Sequence, residues 1–442
     1  MKFAKKNVLI VSLASLLALV TLVGGGTFAY LIGNTEDVVN NFNSNQVTVS
    51  ISETTGYEYD IVPGTSQSKD PKITVNNTAA AYLYSIVIDN TEGLVGYEMA
   101  DGWTLLSGWD TEHMKVYYRE VEADATDKTF SVLKNDQVTY DAAIENSDML
   151  NSDGTLKSGI NLSFSAYAIQ KDGFADALAA FEYSYSKVSS SDELSSAIES
   201  GKKAVMTADI SLPESMRMSG EVYIFGNGYD LISPDGDSQR VIDVNGETEP
   251  VVLNIKDVNL VGPRTGTYTR GISVYDSSDV ILNIEDSAVS ATYYAINIAS
   301  ANENVEINVK NTVITGWAAF QTHSPYTKVT FENCTLIGIN DKQYDPIWNG
   351  FATVVINEYS DGNPDPLGAH DGVFTFKDCR IEATQTTGNE QYLLSVRAEN
   401  TTVNIENCVF FVDGVQIPIE DIANYVSVRP NVIDSFVYNI IK

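Results

Sequence analysis

Two groups of side chains in the C-terminal half of this 442-residue chain have the types and spacing to do chemistry. The first is Arg397 with His323. A basic residue that abstracts a proton next to a uronate, with calcium holding the sugar, is what lysis of an acidic glycan requires, and these two are the pair on offer. The second is the segment 361–371, where Asp361, Asn363, Asp365 and Asp371 stand beside His370 in a Pro/Gly-rich stretch. Oxygen ligands of this kind suit calcium. The spacing is not that of an EF-hand, and Pro364 and Pro366 restrict how the carboxylates converge, so a plain turn is the competing reading. Hydrolysis of a glycosidic bond would need a carboxylate pair at a set separation, and no motif marks one. The chain has three histidines, His113, His323 and His370, too few for a multi-histidine metal centre in one domain. His-Glu-x-x-His is absent.

A broader group could hold a ligand without transforming it. Short apolar strands precede each of several repeated segments, among them 271–275, 295–298, 320–323 and 394–397. Stacked, they put Ser273, Asn297, Gln321 and Ser395 outward in one row, with Tyr275, His323, Asn357 and Arg397 in a neighbouring row. Tyr268, Tyr293, Tyr294, Trp317, Tyr344 and Trp348 fall in the adjoining loops. Sugars present hydroxyls at their edges and apolar faces for stacking, so polar residues interleaved with aromatics suit a glycan. Tyr275, Asn297, Trp317, Gln321, Asn357 and Trp348 are the candidate contacts. The alternative is a solvated face whose aromatics merely cover turns.

A repeat must position these residues. Leu253-Asn254-Ile255-Lys256-Asp257-Val258-Asn259-Leu260-Val261-Gly262 returns as Ile307-Asn308-Val309-Lys310-Asn311-Thr312-Val313-Ile314-Thr315-Gly316. The frame recurs around the anchors Asp257, Asp286, Asn311, Asn333, Asp378 and Asn407, at spacings of 29, 25, 22, 45 and 29 residues. Alternating apolar residues before each anchor make a strand with one buried face. The Asp or Asn then tolerates the left-handed backbone of a sharp turn. Such a period means stacked coils. The 45-residue interval is expected to hold two coils, one of them degenerate. Cys334, Cys379 and Cys408 each follow an anchor, in one internal column beside Val258, Ser287 and Thr312. They are expected to be small buried fillers, with a Cys379–Cys408 bridge as the alternative. This pattern resembles the pectate-lyase-like right-handed parallel β-helix superfamily over residues 203–425. The Asn-Thr-Asp and Gly-His-Gly motifs of β-helix pectinases do not occur.

The N-terminal half is organised differently. Lys2, Lys5 and Lys6 precede the apolar run Val8–Val23, then Gly24-Gly25-Gly26 and Thr27-Phe28-Ala29, the order of a signal peptide cleaved between Ala29 and Tyr30. Period-two runs at 81–88, 114–121 and 159–167 predict an antiparallel β-sandwich over 30–183, closed by a short helix around 174–181. Trp103 and Trp109 read as packing residues, with sugar stacking the alternative. Residues 184–202 are expected to be a linker and a capping helix with Asp192 as N-cap, leading to the β-helix of 203–442. Leu22–Tyr30, the Asn40-Asn41-Phe42-Asn43 segment and the Pro63-Gly64 turn before Lys72–Asn77 resemble the TasA/camelysin family. The resemblance implies a jelly-roll-like sandwich, processing by a SipW-type signal peptidase, export from a Gram-positive-type bacterium, and a fibre or biofilm-matrix role.

Composition narrows the partners. There are 27 Lys plus Arg against 59 Asp plus Glu, a formal charge of −32 and a pI near 4.2. That field repels nucleic acid and anionic membranes and admits divalent cations. The fold class expected is all-β, sandwich followed by β-helix. The leading functional expectation is a secreted, non-catalytic surface or matrix protein that binds polysaccharide or matrix proteins and self-assembles. The alternative is a secreted polysaccharide lyase or glycoside hydrolase. No cofactor is demanded, with calcium the one candidate.

Overall fold

The computed structural model describes residues 47–441, apart from 57–58, 151–159, 300–301, 341–351, 358–367, 386–391 and 430–431. The described residues belong to one compact unit, Asn45–Lys442, and are all-β, an antiparallel sandwich followed by a parallel β-helix. The expected signal sequence, with its Ala29–Tyr30 cleavage point, lies outside the described residues.

The sandwich is built around Ala81–Asp89, which pairs antiparallel with Met114–Val121 on one side and Leu162–Gln170 on the other. Val47–Ser52, Lys72–Asn77 and Thr129–Ser131 form the opposing sheet. Ile73, Val75 and Leu83 meet between the two sheets. The other face of the central strand carries Tyr82, Tyr84 and Ile86, and it is covered as well. Helix α1, Ala177–Ser184, lays Ala180 and Phe181 on it, and the Tyr84 hydroxyl donates to the Ala177 carbonyl at 2.7 Å. A strand buried on both faces has no polar side to alternate with, which is why Ala81–Ile88 is apolar or aromatic at almost every position. Val205 and Phe225, from the first coils of the β-helix, join this cluster, so sandwich and helix share apolar packing. Trp109 is buried against Phe181, and Trp103 donates its indole N–H to the Ser131 carbonyl at 2.9 Å. Both tryptophans are packing residues.

Three parallel sheets make the β-helix. Among the described residues the first runs from Tyr185–Val188 to Val437–Ile441, the second from Ile210–Ser211 to Val409–Val412, with Val415–Ile417 added antiparallel at its end, and the third from Met216–Arg217 to Val426–Val428. Their inward side chains form one continuous core. The expected linker begins with a strand instead. Tyr185–Val188 pairs in parallel with Lys203–Met206, because Tyr185 and Val188 are apolar enough to be buried at the end of the stack. Helix α2, Ser191–Glu199, follows and buries Leu194 and Ala197 against the core. Its N-cap is Ser190, not Asp192. The Ser190 hydroxyl accepts from the Glu193 N–H at 3.3 Å, while the Glu193 carboxylate accepts from the Ser189 N–H at 2.7 Å. This reciprocal arrangement satisfies orphan donors from both directions. Covering the open end of a stack with a helix hides unpaired edges and exposed core.

All six anchors sit in the left-handed region, with φ between 49° and 55°. Their heads are linked from coil to coil: Asn311 Nδ2 donates to Asp286 Oδ1 at 2.9 Å, Asn333 Nδ2 to Asn311 Oδ1 at 2.8 Å, and Asn407 Nδ2 to Asp378 Oδ1 at 2.6 Å. The 45-residue interval holds one coil, not two. Lys328–Glu332 pairs directly with Val373–Lys377, and Thr335–Asn340 directly with Arg380–Gln385. The extra length lies in the connections between strands, and a spacing alone cannot tell a long connection from an added coil. Cys334, Cys379 and Cys408 are buried and free, consistent with the filler reading. Each occupies the position of Ser287 and Thr312.

Candidate functional site

The outer face of the third sheet is where the candidate residues gather. Ile272, Val274, Ile296, Ile298, Phe320, Val354 and Val396 point inward to the core. Strand alternation therefore turns the residues between them outward. The register places Asp243, Ser273, Asn297, Gln321, Val355, Ser395 and Ser427 in one row. At the last position of one strand and one position past the others, main-chain bonds line up Tyr275, Ala299, His323, Asn357, Arg397 and Arg429 as a second row. A third row, nearer the strand starts, holds Arg240, Arg270, Tyr294, Ala318, Ala352 and Tyr392.

The central row differs from expectation in one respect. Although it faces away from the core, Ser273 and Asn297 are 2 % exposed and Gln321 and Ser395 are fully enclosed. A second apolar cluster lies on this face: Tyr293, Tyr294, Trp317, Ala318, Ala352 and Val355, with Tyr392 against it. Tyr293 stacks on Trp317 at 5.4 Å and 19°, and Tyr268 meets Tyr293 edge-on at 5.5 Å. Tyr294 belongs to the strand Tyr294–Ile298 itself, and Trp317, like Tyr293 and Tyr294, is buried. The aromatics thus form the wall of the face, while Tyr275 is the exposed one among the residues singled out on its rows.

Two polar groups in this enclosure have no counterpart. Both amide atoms of Gln321 and the hydroxyl of Ser395 have no hydrogen-bond partner among the described residues. An enclosed amide left unpaired costs about 1–3 kcal/mol, and native proteins rarely keep one without a reason. Next to it, Asn357 Nδ2 lies 3.3 Å from His323 Nε2. With the amide donating, the neutral ring carries its proton on Nδ1. Arg397 follows Asn357 in the same row, and burial, then the neighbouring Arg429, push its guanidinium below the ordinary arginine range. Burial, then Arg240, do the same to Arg270, which lies 5.9 Å and 6.0 Å from the Tyr293 and Tyr294 rings. Five of the chain's eight arginines stand on these three rows, since Arg217 pairs with Asp243 at the start of the central one. The single carboxylate in the rows, Asp243, is paired with Arg240 at 3.0 Å.

The structure therefore brings together Asn297, Gln321, Trp317, His323, Asn357 and Arg397, with Tyr275 at the margin. Trp348, Asp361, Asn363 and Asp365 lie outside the described residues. Asp371 is described. It accepts from His370 Nδ1 at 2.7 Å, and among the described residues no cluster of acidic, His or Cys side chains has the geometry to hold a metal. Asp243, Arg240, Arg270 and Arg429 were not anticipated. Extending the strand register one coil beyond each end of the repeat would have found them, since Arg240 and Arg270 sit opposite one another.

No family model matches the chain, and no curated protein does. Among solved structures, two catalytic domains of a GH87 alpha-1,3-glucanase are matched. One is a complex with nigerose (9 % identity, TM-score 0.20) and the other a complex with tetrasaccharides (11 %, TM-score 0.23). Each alignment covers 89 % of this chain and 98 % of the other. Similarity at that level says nothing about what this chain acts on.

Proposed function

We propose that the chain is an exported glycan-binding protein whose ligand lies on the outer face of the third sheet. The observation that carries this reading is the unpaired amide of Gln321, enclosed beside the Tyr293–Trp317 stack. A sugar that displaces whatever encloses the amide would supply both what it lacks, a hydroxyl to donate and accept, and an apolar face for the rings. The resemblance of residues 1–90 to exported matrix proteins supports a place at the cell surface or in an extracellular matrix. Self-assembly through the sandwich belongs to the same reading.

A second reading is catalytic. His323, Asn357 and Arg397 run consecutively along one row, and a neutral histidine released from its Asn357 bond could take a proton next to a uronate held by the guanidinium two coils on. This reading makes the same face the active site of a lyase.

One experiment addresses both. The purified chain is screened against a polysaccharide panel with and without calcium, following retention of the protein and release of reducing ends or unsaturated uronate. Gln321→Leu is run in parallel. Because the substitution removes an unpaired buried amide, it should leave the melting temperature unchanged or raised while lowering retention at least tenfold. Equal retention by Gln321→Leu and the wild type would remove the basis of the proposal. Product release abolished by His323→Ala would move the reading from binding to catalysis.

A further inference from the structure

Among the described residues the ladder of anchor heads lacks its cross-coil bond at two rungs, Asn333–Asp378 and Asp257–Asp286, and the second lies where sandwich and β-helix touch. At the rungs joining Asp286 to Asn311, Asn311 to Asn333 and Asp378 to Asn407, an amide N–H crosses to an oxygen one coil away. Asp257 and Asp286 are also one coil apart, with the Asp257 N–H on the Glu285 carbonyl at 3.0 Å. Here both heads are carboxyl groups, and neither has an N–H to give. Asp257 Oδ1 accepts from Asn90 Nδ2 of the sandwich at 3.2 Å. Its Oδ2 is enclosed and has no hydrogen-bond partner among the described residues. Asn90 Oδ1 in turn lies 3.0 Å from His113 Nδ1.

We propose that a proton held between Asp257 and Asp286 closes this rung and makes the seating of the sandwich on the β-helix sensitive to pH. When Asp257 is protonated, its hydroxyl can take the place of the missing amide donor toward Asp286. Asp286 then keeps its bond from Asn311 and its Lys256 contact at 3.5 Å. When the proton leaves, two neighbouring carboxylates face each other across the rung. The charges opposing that repulsion are Lys256, which also holds Glu285 at 3.1 Å, and His113 from the sandwich. Glu92 borders the same groove, of about 580 Å³, and adds to it.

The electrostatics agree. Burial is the main cause that raises the Asp257 carboxyl to about 6, Asp286 adds to it, and His113, Asn90 and Lys256 oppose it. Burial raises Asp286 too, against Lys256 and Asn311. An unfolded aspartate titrates near about 3.9. Between about pH 4 and pH 6 the folded chain keeps a proton that the unfolded chain gives up, so this pair's contribution to stability falls as pH rises through that window and is level above it.

Asp257→Asn supplies the missing N–H at every pH. The full chain and the variant are melted from pH 4.5 to 7.5, and hydrogen exchange is followed over 109–115 and 226–229. The expected result is a wild-type melting temperature that falls several degrees relative to the variant's as pH rises from 4.5 to about 6, and a difference that is level above it. Protection factors at the contact, which divide out the intrinsic rise of exchange with pH, should fall as Asp257 loses its proton in the wild type and stay constant in the variant. Infrared spectra at pH 5 should show a protonated-carboxyl band that the variant lacks. A melting difference that does not change with pH, or a missing carboxyl band, would overturn the proposal.

Discussion

Thr111 of the sandwich and Asn227 of the β-helix are 116 residues apart and bonded through both amide atoms, the Thr111 hydroxyl donating to Oδ1 at 3.0 Å and facing Nδ2 at 2.8 Å. Asn227 is buried, has φ of 57°, and also reaches the Met206 carbonyl at 3.3 Å. One residue thus turns a coil in the left-handed region, bonds the preceding coil and meets the other domain. Asn227→Ala should cost about 2–4 kcal/mol, from the left-handed penalty and the lost buried bonds together. Because Val205 and Phe225 pack into the sandwich cluster, calorimetry should show one unfolding transition moving down. A lone shift of a separate sandwich transition would show that the two domains melt independently.

The anchor ladder predicts a graded series. Asn311 donates to Asp286, accepts from Asn333 and has φ of 49°. Asn311→Gly keeps the backbone at ease and loses the side-chain bonds, whereas Asn311→Ala loses both. Alanine should therefore be the worse substitution by about 1 kcal/mol, read as a difference in denaturant midpoints at unchanged slope. Equal midpoints would mean that the turn tolerates any residue.

Much of this fold was legible because it repeats. Asp257, Asn311 and their counterparts mark left-handed turns by residue type, and alternation on either side assigns the strand faces, so coils, register and cysteine column follow from the chain alone. Three things did not follow. The long interval between Asn333 and Asp378 has the same length whether it holds a coil or an enlarged connection. Tyr185–Val188 has too few residues to show a period, and its place in the stack comes from pairing with Lys203–Met206. The enclosure of Gln321, which is 0 % exposed, depends on what lies over the outer face of the sheet, which a facing argument cannot foresee.

Gly262 tests the corner between the second and third sheets. A Cβ there would lie 2.2 Å from the Ser290 carbonyl of the next coil, and the Gly262 N–H already bonds that oxygen at 2.8 Å. Gly262→Ala must push two coils apart, and a loss of about 1–3 kcal/mol is expected. Gly414 is the control. It has φ of 76° and nothing within reach of a Cβ, so Gly414→Ala should cost only the about 1–2 kcal/mol of the backbone conformation and leave the coil spacing, and hence core hydrogen exchange, unchanged.

The cysteine column predicts thiols that are inert until the chain unfolds. Cys334 Sγ lies 3.2 Å from the Glu332 carbonyl, Cys379 Sγ 3.2 Å from that of Lys377, and Cys408 Sγ 3.3 Å from that of Glu406. Thr312 and Ser287 make the equivalent bonds to Lys310 and Glu285, each at 2.7 Å. The neighbouring Cys334 thiol, then burial, push the Cys379 thiol up to about 12, and Cys379, then burial, raise Cys408 as well, whereas a hydrogen bond from Cys379 lowers Cys334. Reactivity requires thiolate and access together, and the exposure of Cys334 is 1 %, so the lowered group is also the shielded one. Ellman's reagent should label none of the three in the native protein and all three in denaturant without reductant. Labelling of one thiol only in denaturant would reveal a disulfide instead. Cys379→Ser, which copies what Ser287 does in the same column, should fold with a loss of about 1 kcal/mol or less, as measured by chemical denaturation.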